Sequence, residues 1–298
     1  MTELNSPSIP KIAFLKKKDD PLEFEILGID SLQKREGELD HSPHLPHRLS
    51  FYIILVITNG HGTHFIDFKP YPYSENSILT ISKGQVHAFD KNVKKEGFLI
   101  LFTDSFLSKN MIHSDILSLS RLYNYHVTPP IIEGSEIKGY GFTKLFRDLQ
   151  NEYRRPNDFA KEEMLRLLLK MLLLKMERIK YSLIPQKTNP SYIHQFTIFK
   201  TRLETHFTLT RNAADYADMM SMSYKHLNTI CKHISGITVK QFIDSYVTLE
   251  AKRLLATTDI SVKELTYDMG FDEPTNFVKF FSKQARMTPA AFKKFLKK

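Results

Sequence analysis

The spacing of apolar and polar positions divides the chain into three textures. From Phe24 to Leu107, short apolar runs alternate with turn signals. "FYIILVIT" leads through the turn "NGHG" to "THFIDF", and "SILTIS", "KGQVHAF" and "GFLILF" follow. Short β-branched and aromatic runs at this interval predict a sandwich or barrel. From Thr143 to Ser182 the period becomes helical, with two helices split at Pro156. The second is apolar on more than one face, through Met164, Leu165, Leu168, Leu172 and Met176. One barrel face covers only part of that surface, so the remainder either meets a partner, as in a dimer, or packs elsewhere within the chain. "SLIPQKTNPS" then reads as a polar linker in which Pro185 and Pro190 prevent helix continuation.

In the last third, Ile260, Leu265 and Met269 recur at helical spacing, and Ser261 with Glu264 reads as a capping box. Gly270 stands where the helix ends, because glycine enters the left-handed region at little cost. Asp272 or Glu273 can cap the next helix, and Pro274 suits its first turn. Phe277, Phe280 and Phe281 form its apolar stripe, with Thr275, Asn276, Lys279 and Lys283 opposite. A short helix, a tight turn and a helix with a cationic front predict a helix-turn-helix.

The same pattern occurs 50 residues earlier, where "SYKHLNTICKHISGITVKQF" aligns without gaps to "EPTNFVKFFSKQARMTPAAF". Leu227, Ile230 and Cys231 take the apolar places, and Lys225, His226, Thr229 and His233 the outward ones. Upstream, Thr210 is the expected cap, with Ala213, Tyr216, Ala217 and Met220 facing inward, before Ser223 caps the next helix. Between the units, "VKQFIDSYVTLEAKRLLATT" predicts a continuous helix of about 17 residues, spanning roughly 25 Å. Two outward helices at its ends can reach successive major grooves, which lie ~34 Å apart on one DNA face.

Composition sharpens this picture. The chain has 298 residues, enough for about two domains. Of its net charge of +9, residues from Ile193 onward supply 16 Lys+Arg against 10 Asp+Glu, a net of +6. Coupled to a helix-turn-helix pattern, this basic excess favours nucleic acid. A single cysteine, Cys231, rules out an intramolecular disulfide framework and fits a reducing cytoplasm. The N-terminus has no secretory-signal pattern, and "LRLLLKMLLLKM" is charged and too short to span a membrane.

The duplicated unit, the intervening helix, "KELTYDMGF" and the "MTPAAF" ending resemble the DNA-binding region of AraC/XylS-type bacterial transcription regulators, over about Ile193 to Phe295. Two positions depart from that family's pattern: Arg286 stands where Gly is usual, and Val239 where Pro is frequent. Gly236 and Pro289 keep those residues in the other unit. "HRLSFYIILVITNGHGTHFID" and "SILTISKGQVHAF" also resemble the cupin-like sensor domain that commonly precedes this region. The resemblance implies a β-then-α chain: a cupin-like barrel over 20–140, a helical dimerisation segment over 141–181, a linker over 182–192 and a double helix-turn-helix domain over 193–298. It implies double-stranded DNA as partner, a homodimer, RNA polymerase as a further contact and a small-molecule effector. On the repeated positions, Lys225, His226, Thr229, Thr275, Asn276 and Lys279 are the expected base-edge contacts. Lys232, His233, Lys283 and Arg286 complete the DNA-facing set.

Histidines carry the remaining candidate chemistry. Metal cupins use His-x-His, a nearby Glu and a later His; only His47 and His87 match, Leu49 stands at the second position, and no carboxylate falls between Arg48 and Ile66. His47 and His87 are therefore expected either as hydrogen-bonded barrel residues or as effector contacts, with no metal or cofactor. His41, His44 and His47 in "HSPHLPH" are broken up by prolines and read as a solvated loop. An alkyl-transfer repair enzyme needs a reactive cysteine, whereas Cys231 sits on an apolar stripe. A cytoplasmic, non-enzymatic regulator is the expectation. Its rivals are a ligand-independent regulator with the barrel as scaffold, and a cupin metalloenzyme with a DNA-binding tail.

Overall fold

The computed structural model describes residues 11–14, 22–34, 42–90, 94–109, 128–183 and 189–296. The chain divides into two compact units, one formed by Lys11–Gln186 and one containing Lys187–Lys298.

In the first unit the described strands are β1 (Lys11–Ile12), β2 (Phe24–Gly28), β3 (His47–Leu49), β4 (Tyr52–Asn59), β5 (Gly62–Ile66), β6 (Lys69–Tyr73), β7 (Ile78–Ile81), β8 (Val86–Ala88), β9 (Glu96–Phe102) and β10 (Ile131–Ile132). They form two sheets, ordered β1-β3-β8-β5-β6 and β10-β7-β4-β9-β2. The near-continuous apolar run of β4 arises because both faces of its sheet are covered. Ile53, Leu55 and Ile57 point to the inner core with Leu49, Ile66, Leu79 and Leu99. Ile54 and Val56 point the other way, to a second core with Phe98, Ile100 and Phe102.

Helices close that outer face. The short α1 (Ile29–Lys34), α2 (Asp104–Ser108) and α3 (Gly134–Ile137) precede a helical pair, α4 (Phe142–Arg154) and α5 (Lys161–Leu183). Leu145 and Leu149 of α4, with Leu165, Leu169, Leu172, Leu173 and Met176 of α5, complete the outer core. A second stripe of α5 is left outside it: Met164, Leu167, Met171, Leu174 and Tyr181 are exposed. Met164, Leu167, Met171 and Leu174 are spaced three, four and three residues apart and Tyr181 follows one heptad after Leu174, the register of a coiled-coil seam.

The second unit is helical: α6 (Pro190–His206), α7 (Ala213–Met219), α8 (Tyr224–Ser235), α9 (Val239–Thr257), α10 (Val262–Asp268), α11 (Pro274–Ala285) and α12 (Pro289–Leu296). Aromatic rings make much of its core, with Phe196 against Phe242 at 5.1 Å and Phe281 against Phe292 at 6.1 Å. Among the described residues no helix is long and apolar enough to cross a membrane.

Four local expectations are corrected. Pro190 does not block a helix but opens α6, with Asn189 capping it through a 2.9 Å bond from the Ser191 N–H. Proline has no N–H to lose in a first turn, so the position suits it. The cap of α7 is Asn212, not Thr210; the Thr210 hydroxyl accepts the Asn212 N–H instead, at 3.1 Å. Met220 is only half-buried. Neither Asp272 nor Glu273 caps α11 with its side chain: Glu273 holds the N-cap place without a side-chain bond, and Pro274 spares one of the N–H groups it would have served. Residues 184–188 of the expected linker lie outside the described residues.

Candidate nucleic-acid interface and barrel site

The two helix-turn-helix units are built by the same local devices. Ser223 caps α8 by accepting the His226 N–H at 3.2 Å, and Ser261 with Glu264 forms a complete capping box on α10. Helices α8 and α11 begin 50 residues apart, at Tyr224 and Pro274, whereas α7 and α10 begin 49 apart, at Ala213 and Val262. The second turn is thus one residue longer. Ser221 supplies the left-handed residue in the first turn, with φ +52°, and Gly270 in the second, with φ +71°. Both outward helices end on a left-handed residue as well, Gly236 at φ +75° and Arg286 at φ +58°.

Leu227, Ile230, Cys231, Phe277 and Phe281 are buried, and Phe280 is half-buried against Phe271. The opposite faces hold the sequence-predicted residues. Lys225, Thr229, Lys232 and His233 on α8, and Thr275, Asn276, Lys279, Lys283 and Arg286 on or just after α11, are exposed. Neither helix contains a carboxylate. His226 differs from the others: it is half-buried, with its ring against Tyr192.

Sequence reasoning missed the joint between the units. The Arg211 guanidinium lies over the Phe271 ring, 3.7 Å from its centroid, and donates to the carbonyl of Gly270 at 2.8 Å. A Cβ at Gly270 would stand 1.8 Å from the Thr208 carbonyl oxygen. The loop before α7 therefore presses directly on the turn of the second unit. Helix α9 is not their sole link.

In the barrel, β3 and β8 pair His47 directly with His87. Their ring centroids are 4.1 Å apart, and the His47 Nδ1 donates to the Leu45 carbonyl at 3.0 Å. A third histidine, missed from sequence, joins them: the His64 Nε2 lies 3.1 Å from the His87 Nδ1, so one ring donates to the other. Its one sequence signal was the period-two placing beside Ile66, which put both on the same strand face. His64 is fully buried, and its Nδ1 has no hydrogen-bond partner among the described residues; the same holds for the buried Tyr73 hydroxyl. Burial, with Lys95 and His47 nearby, pushes the His64 imidazole down to about 3, so the ring is neutral. Among the described residues no three His, Cys, Asp or Glu side chains are placed to hold a metal ion. His44 turns its Nδ1 to the Phe89 carbonyl at 3.2 Å, and His41 lies outside the described residues.

Residues 36–96 match the family model of the AraC-like ligand binding domain, and residues 216–294 match that of a helix-turn-helix domain. The chain thus combines an AraC-like ligand binding domain with a C-terminal helix-turn-helix domain. The HTH-type transcriptional activator RhaS of Escherichia coli O6:H1 is 21% identical over 276 residues, covering 88% of this chain and 94% of its own. An uncharacterised HTH-type regulator of Bacillus subtilis, YfiF, is 23% identical over 263 residues, covering 87% of this chain and 81% of its own. Among solved structures, ToxT from Vibrio cholerae is 14% identical, covers 92% of this chain and 97% of its own, and gives a TM-score of 0.44. These relatives are transcriptional regulators. Its one thiol, Cys231, is buried and pushed up to about 11 by that burial, which keeps it protonated at neutral pH.

Proposed function

We propose that this chain, as an AraC-family regulator, reads two different DNA segments through α8 and α11, under the control of a small molecule bound in the barrel. The observation that carries the reading is the pair of exposed, carboxylate-free faces, held at the two ends of α9. Lys225, His226 and Thr229 on one face, and Thr275, Asn276 and Lys279 on the other, occupy the early turns that enter a major groove. Asn276 is suited to bidentate bonding of adenine. Lys232, His233, Lys283 and Arg286 lie further along and suit phosphate oxygens.

The effector reading rests on the barrel interior. His64 packs with His47 and His87, and the buried His64 Nδ1 and Tyr73 hydroxyl have no partner among the described residues; buried polar atoms of this kind are what a bound ligand satisfies. A ligand with hydroxyl or carbonyl groups fits this donor and acceptor set. The effector acts by favouring one arrangement of the two units, which changes operator occupancy or contact with RNA polymerase in the cytoplasm.

The exposed seam of α5 supports a homodimer. Met171 and Leu174 lie at its centre, so Met171→Lys with Leu174→Lys converts the chain to a monomer in sedimentation while leaving the fold intact.

Genomic footprinting of the wild-type chain and of Asn276→Ala tests the DNA reading. The substitution costs about 1–3 kcal/mol and relaxes one operator position. An unchanged footprint and unchanged base preference overturn the assignment of α11.

A further inference from the structure

The geometry points to Tyr192 as a positioning residue for base reading, acting through His226 of the first recognition helix. This rests on the reading of α8 as a DNA-contacting helix. The ring of Tyr192 meets two imidazoles of α8 edge-on: His226 at 5.9 Å between centroids and 77° between planes, and His233 at 5.5 Å and 85°. The two histidines are seven residues apart, two helical turns, so they share one edge of the outward face.

Tyr192 is carried on a rigid element. It stands in the first turn of α6, fixed by the Asn189 cap and by the buried Ile193, Phe196, Phe199 and Leu203 behind it. His226 stands in the first turn of α8, where Ser223 holds its backbone N–H. The backbone of that residue is therefore set, and the side-chain torsions are its remaining freedom. An edge-on aromatic neighbour narrows those torsions and lowers the entropy lost when the imidazole is ordered on a base.

The second unit does this differently. Helix α9 precedes it as α6 precedes the first, the two starting 49 residues apart at Val239 and Pro190. The residue matching Tyr192 is Gln241, and its side chain is used in the capping box of Thr238. Aromatic bracing is thus a feature of the first recognition helix, and it makes base preference at the position read by His226 depend on a residue in a different helix.

The test uses the full-length chain and DNA selected by it from a random duplex library. Tyr192→Ala weakens binding to the selected site about 10-fold and flattens preference at the one position that His226→Ala also flattens. Tyr192→Phe, which keeps the ring, restores both. In a His226→Ala background, Tyr192→Ala adds less than about 2-fold, because the two residues act as a unit. The inference is overturned if the two losses multiply independently, or if Tyr192→Phe behaves like Tyr192→Ala. Asn276→Ala on the same DNA separates the two readings: if it and His226→Ala both leave selectivity unchanged, DNA reading by these helices is at fault. If Asn276→Ala alone alters selectivity, only the role given to Tyr192 and His226 falls.

Discussion

Arg211 and Phe271 form the closest cation–ring contact between the two helix-turn-helix units, with the guanidinium 3.7 Å from the ring centroid. The same side chain reaches the Gly270 carbonyl, so a single arginine holds both the ring and the backbone of the second turn. The turn it grips is also where Thr208 approaches Gly270 too closely for a side chain.

Gly270→Ala is therefore expected to destabilise the second unit by about 3 kcal/mol or more, since strain from a positive φ adds to a backbone clash. Gly236→Ala has a positive φ but open space around the position, and costs about 1 kcal/mol. Urea unfolding with amide exchange at α10 and α11 measures both. Similar losses from the two changes would show that contact with Thr208 contributes nothing.

Arg286 holds a left-handed conformation at φ +58°, where the matching residue of the first unit is Gly236. Arg286→Gly is expected to raise stability by roughly 1 kcal/mol through relief of that strain. If the guanidinium contacts phosphate, the same change weakens binding to all DNA sequences alike and lowers the salt dependence by about one charge. A thermal melt and a salt titration separate the two effects.

The joint at Arg211 and the helix α9 are expected to fix the spacing of the two outward helices, α8 and α11. Five base pairs inserted between the two segments of one protomer's site rotate one of them about half a turn away and abolish tight binding. On the proposed homodimer, the same insertion between the two protomers' sites is expected to be tolerated better, because the linker sequence between the barrel and the helical unit is polar and contains Pro185. Gel-shift titrations on both insertions test this, and equal losses would sink it.

His64 provides a pH test of the barrel. Its folded pKa of about 3 lies below its ordinary value of 6.5, so the neutral ring favours folding at neutral pH. That contribution is fully present above about 6.5 and falls by roughly 1.4 kcal/mol per unit as pH drops toward 3. A His64→Phe chain lacks this slope, and the difference between the two stability curves over that window isolates it. Parallel curves would mean that the ring is not buried as a neutral group.

The parts legible in the sequence were those whose information is local. The Ser223 cap, the Ser261–Glu264 capping box, the left-handed Gly270 and the apolar stripes of Leu227, Ile230 and Cys231, and of Phe277, Phe280 and Phe281, lie within one or two helical turns of the structure they specify. Repetition 50 residues apart then marked the outward faces as a matched pair, and alternating strands marked the barrel. What remained hidden depends on contacts between segments distant in the chain. His64 meets His87 across 23 residues, Arg211 meets Gly270 across 59, and Tyr192 meets His226 from a different helix. The apolar surplus of α5 was visible as composition, but which stripe stays exposed was decided by how the helix lies on α4 and the outer sheet. Side-chain period encodes a face, whereas the neighbour that face meets is set only when the chain closes on itself.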